Sequence, residues 1–172
     1  MKTALFSLVA MLALAPLSQA DVTVTLSNVH LCCDKCVKGA DKTVTSIDGA
    51  TDVCDKAART IAITAPDNAT VQKVADGLVK AGFFGTSSDA SIKVDASTGA
   101  QGAKVQTLTV KGVHLCCPKC VKTVHETVLS VSGVTGENAQ KGAESFTVTG
   151  DFNDADVFAA LQKAGLTGKA GQ

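Results

Sequence analysis

The sequence predicts an α+β fold made of two tandem βαββαβ domains. The first observation is an internal repeat, because His-Leu-Cys-Cys-x-Lys-Cys at residues 30–36 returns 84 positions later at residues 114–120. The second is that a short run rich in β-branched residues precedes each copy, and the third is that apolar residues at helical spacing follow it. A unit that occurs twice at one offset predicts two domains.

The first half of copy one is predicted to form a strand, a helix and a second strand. The segment Val22–Leu26 alternates and is rich in β-branched residues, which favours a strand. An apolar stripe at helical spacing follows the cysteine motif, and its members are Val37, Ala40, Val44 and Ile47. Gly49 is expected after this helix, because glycine readily adopts the left-handed conformation there. Residues 50–54 predict the second strand.

The second half of copy one completes a ferredoxin-like order. Residues 60–65 predict a third strand, and Pro66-Asp67-Asn68 then breaks the chain and supplies a helix cap. The second apolar stripe consists of Val71, Val74, Leu78 and Ala81. Gly82 stops this helix, and residues 91–94 predict the last strand. This topology places the cysteine motif, Cys54 and Phe83 at one end of the domain.

Copy two repeats the order at matching positions. Residues 107–110 and 146–149 predict strands, and the helical stripes contain Val121, Val124, Val128, Val131, Val157, Leu161 and Ala164. Few residues follow Gly165, so the last strand of this copy is predicted to be short or missing. The predicted boundaries are a signal peptide at 1–20, domain 1 at 21–95, a flexible linker at 96–103 and domain 2 at 104–172.

The N-terminal residues predict export. Lys2 provides a positive start, Ala4–Leu17 is almost wholly apolar, and Ser18-Gln19-Ala20 fits a cleavage site, as in a secretory signal peptide. We therefore expect a periplasmic or secreted protein that is not embedded in a membrane. The chain contains 16 Lys and Arg against 16 Asp and Glu. This balance gives no reason to expect nucleic acid as a partner.

The repeated motif concentrates side chains that bind soft and borderline metals. The candidate ligands are the Cys-x-x-Cys pairs Cys33, Cys36, Cys117 and Cys120, together with Cys32, Cys116, His30 and His114. Each pair brackets a predicted helix start, where the helix dipole favours thiolate over thiol. Three thiols and an imidazole could close a tetrahedral zinc site, whereas two or three thiolates suit Cu(I). The repeat thus predicts one site per copy.

Two other functions remain open for the same cysteines. In an oxidising compartment the default for cysteine is a disulfide, so a thiol–disulfide redox protein is the main alternative. A purely structural bridge comes third, because three cysteines per copy leave one unpaired. Cys54 has no counterpart and is expected to be a free thiol, with disulfide partnership possible; His125 is expected on a helix surface. No catalytic residue set is recognisable, so the chain is not expected to be an enzyme.

Both motifs resemble the metal-binding loop of the heavy-metal-associated domain family. That family covers soft-metal chaperones, the periplasmic mercury-binding protein and the N-terminal modules of metal-pumping ATPases. The four cysteines of the two Cys-x-x-Cys pairs take the cysteine places of its Gly-Met-x-Cys-x-x-Cys loop, Leu31 and Leu115 replace its Met, and His30 and His114 replace its Gly. Ala81-Gly82-Phe83 resembles its Ala-Gly-aromatic segment.

This resemblance implies two ferredoxin-like domains and a protein that sequesters or transfers a soft or borderline metal ion. Copper as Cu+ is the first candidate, with zinc and mercury as alternatives. A metal transporter or another metal-binding protein is the implied protein partner.

Overall fold

The computed structural model describes residues 20–171. The predicted signal peptide, residues 1–20, lies outside the described residues apart from Ala20. Within the described part, the chain forms two four-stranded antiparallel sheets and four helices. This confirms the α+β class and is compatible with two ferredoxin-like domains.

The first domain follows the predicted element order. Its elements are β1 (Val22–Ser27), α1 (Asp34–Thr45), β2 (Thr51–Asp55), β3 (Thr60–Ala65), α2 (Asn68–Lys80) and β4 (Thr86–Ser87). The sheet order is β2-β3-β1-β4, and β3 pairs antiparallel with both β1 and β2. Strands β1 and β2 therefore run in the same direction with β3 between them, as predicted.

The second domain repeats this arrangement. Its elements are β5 (Lys104–Lys111), α3 (Pro118–Leu129), β6 (Val134–Glu137), β7 (Ser145–Asn153), α4 (Asp154–Lys163) and β8 (Lys169–Ala170). The sheet order is β6-β7-β5-β8, which matches the first sheet position by position. Each loop that carries a cysteine motif thus joins the first strand of its domain to the first helix.

Sequence periodicity correctly locates the cores. In β3, Ile61 and Ile63 are fully buried, while in α1 the buried face includes Ala40 and Val44. Helix α2 begins after Asp67, whose carboxylate accepts a hydrogen bond from the backbone N–H of Thr70. This is the capping interaction expected of that residue type. Each helix therefore packs its apolar stripe on one face of its own sheet.

The last strands depart from the prediction in one domain. In domain 2, β8 has two residues and is short, as expected. In domain 1, the prediction of a strand at 91–94 is wrong, because β4 lies at 86–87 and pairs with Leu26 and Ser27. A turn in which Asp89 N–H donates to Ser87 Oγ ends β4. Ile92 is instead buried in the core, so its apolar character reflects packing rather than strand pairing.

Residues 98–103, which belong to the predicted linker, lie along domain 2. The carbonyl of Thr98 accepts a hydrogen bond from Ala170 N–H. The carboxylate of Asp154 accepts hydrogen bonds from the backbone N–H groups of Gln101 and Ala103, both at 2.9 Å. Residues 98–103 are therefore hydrogen-bonded to domain 2.

The two domains contact each other through the segments that follow α2 and α4. Phe84 N–H donates to the carbonyl of Gly165 at 3.1 Å, and Thr167 N–H donates to the carbonyl of Gly82 at 3.0 Å. Phe83 and Leu166 form the isolated β-bridge between these hydrogen bonds. Because each segment makes the same contact to the other, the two domains are related by an approximate two-fold axis.

Two glycines make this approach possible. A Cβ at Gly82 would lie 2.5 Å from His114 N, and one at Gly165 would lie 2.3 Å from Asn28 O. Their φ angles are +86° and +83°, in the left-handed region that favours glycine. Asn28 lies just before the cysteine loop of domain 1, and His114 is the first residue of the motif in domain 2. Because the two glycines lack a side chain, each loop can approach the opposite domain closely, and the two loops can meet.

Within residues 20–171, no helix combines the length and the apolar character needed to cross a bilayer.

Candidate metal centre

The cysteine motifs adopt the same backbone conformation in both domains. Cys33 and Cys117 are the N-cap residues of α1 and α3, with extended backbone at φ −160° and −152°. The carbonyl of Cys33 accepts a hydrogen bond from Cys36 N–H at 3.0 Å. Cys36 and Cys120 therefore lie in the first helical turn, where unpaired backbone N–H groups and the helix dipole favour an anionic side chain.

All six motif cysteines converge on one cluster at the interface between the domains. Four Sγ–Sγ contacts lie within a domain: Cys32–Cys36 at 3.6 Å, Cys33–Cys36 at 3.7 Å, Cys116–Cys120 at 3.7 Å and Cys117–Cys120 at 3.5 Å. Five cross between domains: Cys32–Cys117, Cys32–Cys120 and Cys36–Cys116 at 3.5 Å, Cys36–Cys120 at 3.7 Å and Cys33–Cys116 at 4.0 Å. The expectation of one separate site per copy is therefore wrong.

These separations fit metal ligands better than disulfides. A disulfide requires sulfur atoms about 2.05 Å apart, and all seven described cysteines are free thiols. Sulfurs bound to one tetrahedral ion at the zinc–thiolate distance of about 2.3 Å lie roughly 3.8 Å apart. The contacts of 3.5–4.0 Å between the motif cysteines match that spacing.

Burial is graded across the cluster. Cys36 and Cys120 are fully buried at its centre, whereas Cys32, Cys33 and Cys116 are only partly buried. The buried side chains of Leu31 and Leu115 anchor the two loops in their own domains. The cluster therefore has a dry centre and an edge that is open to solvent.

Both histidines lie beside the cluster, and each approaches the cysteine of the opposite domain. His30 lies within 4.8 Å of Cys32 and of Cys120. The ring of His114 packs on Phe83 of domain 1, with centroids 4.4 Å apart, and lies next to Cys36. The Nε2 atoms of both histidines are buried without a hydrogen-bond partner in the described structure.

One thiolate is stabilised at the centre of the cluster. The pKa of the Cys36 thiol lies well below its usual range, chiefly because the Cys120 thiol donates a hydrogen bond to it. The pKa of Cys120 is correspondingly raised by donating to Cys36 and by burial. Burial likewise raises the pKa of Cys32 and Cys116. The thiols of Cys32, Cys116 and Cys120 therefore favour the protonated form, whereas Cys36 favours the thiolate.

The pKa values of Cys117 and His30 are also shifted by their surroundings in the cluster. Burial raises the pKa of Cys117, but hydrogen bonds from Cys120 N–H and from neighbouring thiols outweigh it and lower the value to about 6. Burial lowers the pKa of His30, and the charge of Arg59 adds to this effect. A neutral imidazole keeps the lone pair that a metal ligand needs.

Some residues that were considered from the sequence lie outside the cluster. Cys54 donates from Sγ to Asp52 at 3.0 Å, and burial raises its pKa to about 12. His125 pairs with Glu137 at 2.7 Å on the exposed side of α3.

Arg59 was not foreseen as part of the site. Its Nη2 donates to the carbonyl of Ala164 in domain 2 at 2.9 Å, beside the pocket lined by His30 and Cys32. Its backbone has φ +56°. No sequence pattern marks a lone arginine in a predicted turn for this contact.

No protein-family model and no curated protein matches this chain. Among solved structures, the chain is similar to the N-terminal soluble domains of CopA from Bacillus subtilis, determined in solution, with a TM-score of 0.34 and 14% sequence identity. The match covers 89% of this chain and 95% of that chain.

Proposed function

We propose that this chain is an exported, non-enzymatic protein that binds a soft or borderline metal ion and sequesters it or transfers it to another protein. The observation that carries the proposal is the convergence of six cysteine Sγ atoms on one interface. The candidate ligands are Cys32, Cys33, Cys36, Cys116, Cys117 and Cys120, with His30 and His114 beside them.

A bound metal ion provides the positive charge that a buried cluster of thiolates requires. Cys36 and Cys120 are fully buried, and burying several thiolates requires compensating positive charge. Soft thiolate ligands select Cu(I), zinc and related ions over hard cations. Because the sulfurs occur in close triads, and thiolates in twos and threes suit Cu(I), we propose Cu+ as the cargo ion, with zinc and mercury as alternatives.

The histidines fit a supporting role at the edge of the cluster. Each has a buried Nε2 without a hydrogen-bond partner, which is costly unless the atom finds one. Imidazole nitrogen is a borderline ligand that zinc and copper accept. His30 and His114 are therefore proposed as additional ligands.

Transfer is proposed to occur at the exposed edge. Cys32, Cys33 and Cys116 remain partly accessible, so thiolates of a partner could reach an ion there. The proposed partner is a metal transporter or another metal-binding protein, encountered in the periplasm or outside the cell. Neither nucleic acid nor a membrane-embedded state is part of the proposal.

The test is elemental analysis of the mature chain, residues 21–172, purified with a reductant and exposed to copper, zinc or mercury. We expect stoichiometric uptake by wild-type protein and by Cys54→Ser, whose sulfur lies outside the cluster. The double variant Cys33→Ser, Cys117→Ser is expected to lose most of the bound metal. Wild-type protein that takes up none of the three metals would overturn the proposal, and equal uptake by the double variant would move the site elsewhere.

The alternative is a thiol–disulfide redox protein. It is favoured by one observation, that Cys33 and Cys117 are helix N-caps and that the pKa of Cys117 is lowered to about 6. This alternative predicts a reversible Cys-x-x-Cys disulfide and metal-free catalysis of thiol exchange. Insulin reduction by the metal-free protein at a rate above that of free thiol would support it.

A further inference from the structure

The six sulfurs of the motif cysteines lie at the corners of a distorted octahedron. An octahedron has twelve edges, and nine of them are the Sγ–Sγ contacts of 3.5–4.0 Å described above. The other three, Cys32–Cys33, Cys33–Cys117 and Cys116–Cys117, are within 4.8 Å. Among the described contacts none joins the remaining three pairs, which we assign as opposite corners: Cys32 and Cys116, Cys33 and Cys120, Cys36 and Cys117.

We propose that the two domains jointly bind four Cu+ ions as one cluster, with one ion on each of four alternate faces of this octahedron. The inference rests on the proposed function and specifies its cargo. The four faces are Cys32–Cys33–Cys117, Cys33–Cys36–Cys116, Cys32–Cys36–Cys120 and Cys116–Cys117–Cys120. They meet only at corners, so each sulfur belongs to two faces and would bridge two ions.

The dimensions of the faces suit three-coordinate ions. Two faces, Cys32–Cys36–Cys120 and Cys33–Cys36–Cys116, have all their edges at 3.5–4.0 Å. An ion centred on either face lies roughly 2.0–2.3 Å from each sulfur, close to the length of about 2.3 Å for a zinc–thiolate bond. Faces that share an edge would bring two such ions too close together, which limits occupancy to alternate faces. A tetrahedral zinc ion needs four sulfurs at similar distances from one another, but any four corners of an octahedron include two that lie opposite each other. The arrangement therefore favours three-coordinate Cu+ over an all-thiolate tetrahedral zinc ion.

The negative charge of six thiolates favours the binding of several ions over the binding of one. Six thiolates with a single Cu+ would leave five uncompensated negative charges in a partly buried site, or would force most thiols to stay protonated. Four Cu+ ions leave two negative charges. Arg59 lines the pocket that borders the cluster at Cys32, where its guanidinium can offset part of this remainder.

Neither domain can build the cluster alone. Three of the four faces contain sulfurs from both domains, and the fourth, Cys116–Cys117–Cys120, lies within domain 2. Loading is expected to be cooperative, because each sulfur bridges two ions, so that an ion on one face holds thiolates in place for the ions on the neighbouring faces.

The experiment is an anaerobic titration of the reduced full mature chain with Cu(I), supplied as its acetonitrile complex and followed by native mass spectrometry. We expect the metal-free and four-copper species to dominate throughout, with saturation at four ions. X-ray absorption of the product should show three sulfur neighbours per copper and copper–copper scattering. A dominant one-copper species at one equivalent, or saturation at any other number, overturns the inference.

Serine variants separate this cluster from two independent Cys-x-x-Cys sites. Cys32→Ser and Cys116→Ser each remove a corner shared by two faces, so each should lower the capacity from four ions to two, whereas Cys54→Ser should retain four. Circular dichroism checks that the variants fold. Saturation of wild-type protein at two ions that fill independently would overturn this inference and leave the proposed function standing. Failure to bind copper, zinc or mercury would overturn both.

Discussion

Replacing Gly165 by alanine should separate the two halves of the cysteine cluster while leaving every cysteine in place. The new Cβ would lie 2.3 Å from Asn28 O and 2.6 Å from His30 N, whereas ordinary contacts begin at 3.4 Å. The backbones must therefore move apart by about 1 Å. Gly165 O accepts hydrogen bonds from His30 N–H and from Phe84 N–H, both at 3.1 Å, and this movement weakens them.

The magnitude follows from those two hydrogen bonds. At a net contribution of about 0.5–1.5 kcal/mol each, docking of the domains loses about 1–3 kcal/mol. Because about 1.4 kcal/mol changes an equilibrium constant tenfold, the undocked population rises about 5- to 150-fold. Cys36 and Cys120 are fully buried when the domains are docked, so their alkylation reports this population.

The assay is iodoacetamide labelling of the metal-free, reduced protein, with peptide mass mapping of Cys36 and Cys120. Both should be labelled about 5- to 150-fold faster in Gly165→Ala than in wild-type protein. The matched control is Gly142→Ala, because Gly142 has φ +78° and no atom within 4 Å of the new Cβ. It carries the same left-handed strain of about 1–2 kcal/mol without a clash. Equal labelling of the two variants would refute the described docking.

Three further predictions concern residues away from the cluster. Leu161→Ala in the core of domain 2, where the leucine is fully buried, should lower the free energy of unfolding by about 2–5 kcal/mol in urea titrations; a change below 1 kcal/mol would contradict the packing described. Desolvation raises the pKa of Asp154, but backbone N–H donors outweigh it and the pKa is lowered. The stabilisation by the Asp154 carboxylate is therefore present above the unfolded pKa of about 3.9 and lost as pH falls through the folded pKa. The difference in Tm between wild type and Asp154→Asn should narrow over that pH range. A difference in Tm that stays constant would be evidence against this role of the carboxylate. Burial and Asp52 raise the pKa of Cys54 to about 12, so Asp52→Asn should move its alkylation profile to lower pH, and an unchanged profile would exclude that role for Asp52.

The local elements could be predicted because short-range physics determines them. Alternation located β3 at residues 60–65 without error, and the Asp67 cap marked the start of α2. The last strand of domain 1 was misplaced because Ile92 and Val94 alternate in the same way whether they pair in a sheet or pack on a core. Periodicity records which side chains are buried and does not distinguish the two causes.

The joint site could not be predicted from the same patterns. A repeat fixes what each unit contains but not how two units are placed relative to each other. Gly82 and Gly165 were correctly identified as residues that follow helices, a role that gives no sign of their contacts with the opposite domain. The crossing of His30 towards Cys120 is likewise a property of the interface and is not encoded in either motif alone.

The reciprocal pairing of residues 82–84 with 165–167 makes this chain, in effect, a dimer fused into one polypeptide. Two separate copies would meet at a rate set by their concentration and would part on dilution. Here the connecting segment holds the halves at an effective concentration in the millimolar range. A small interface is then sufficient, and assembly of the six-sulfur cluster should be independent of protein concentration.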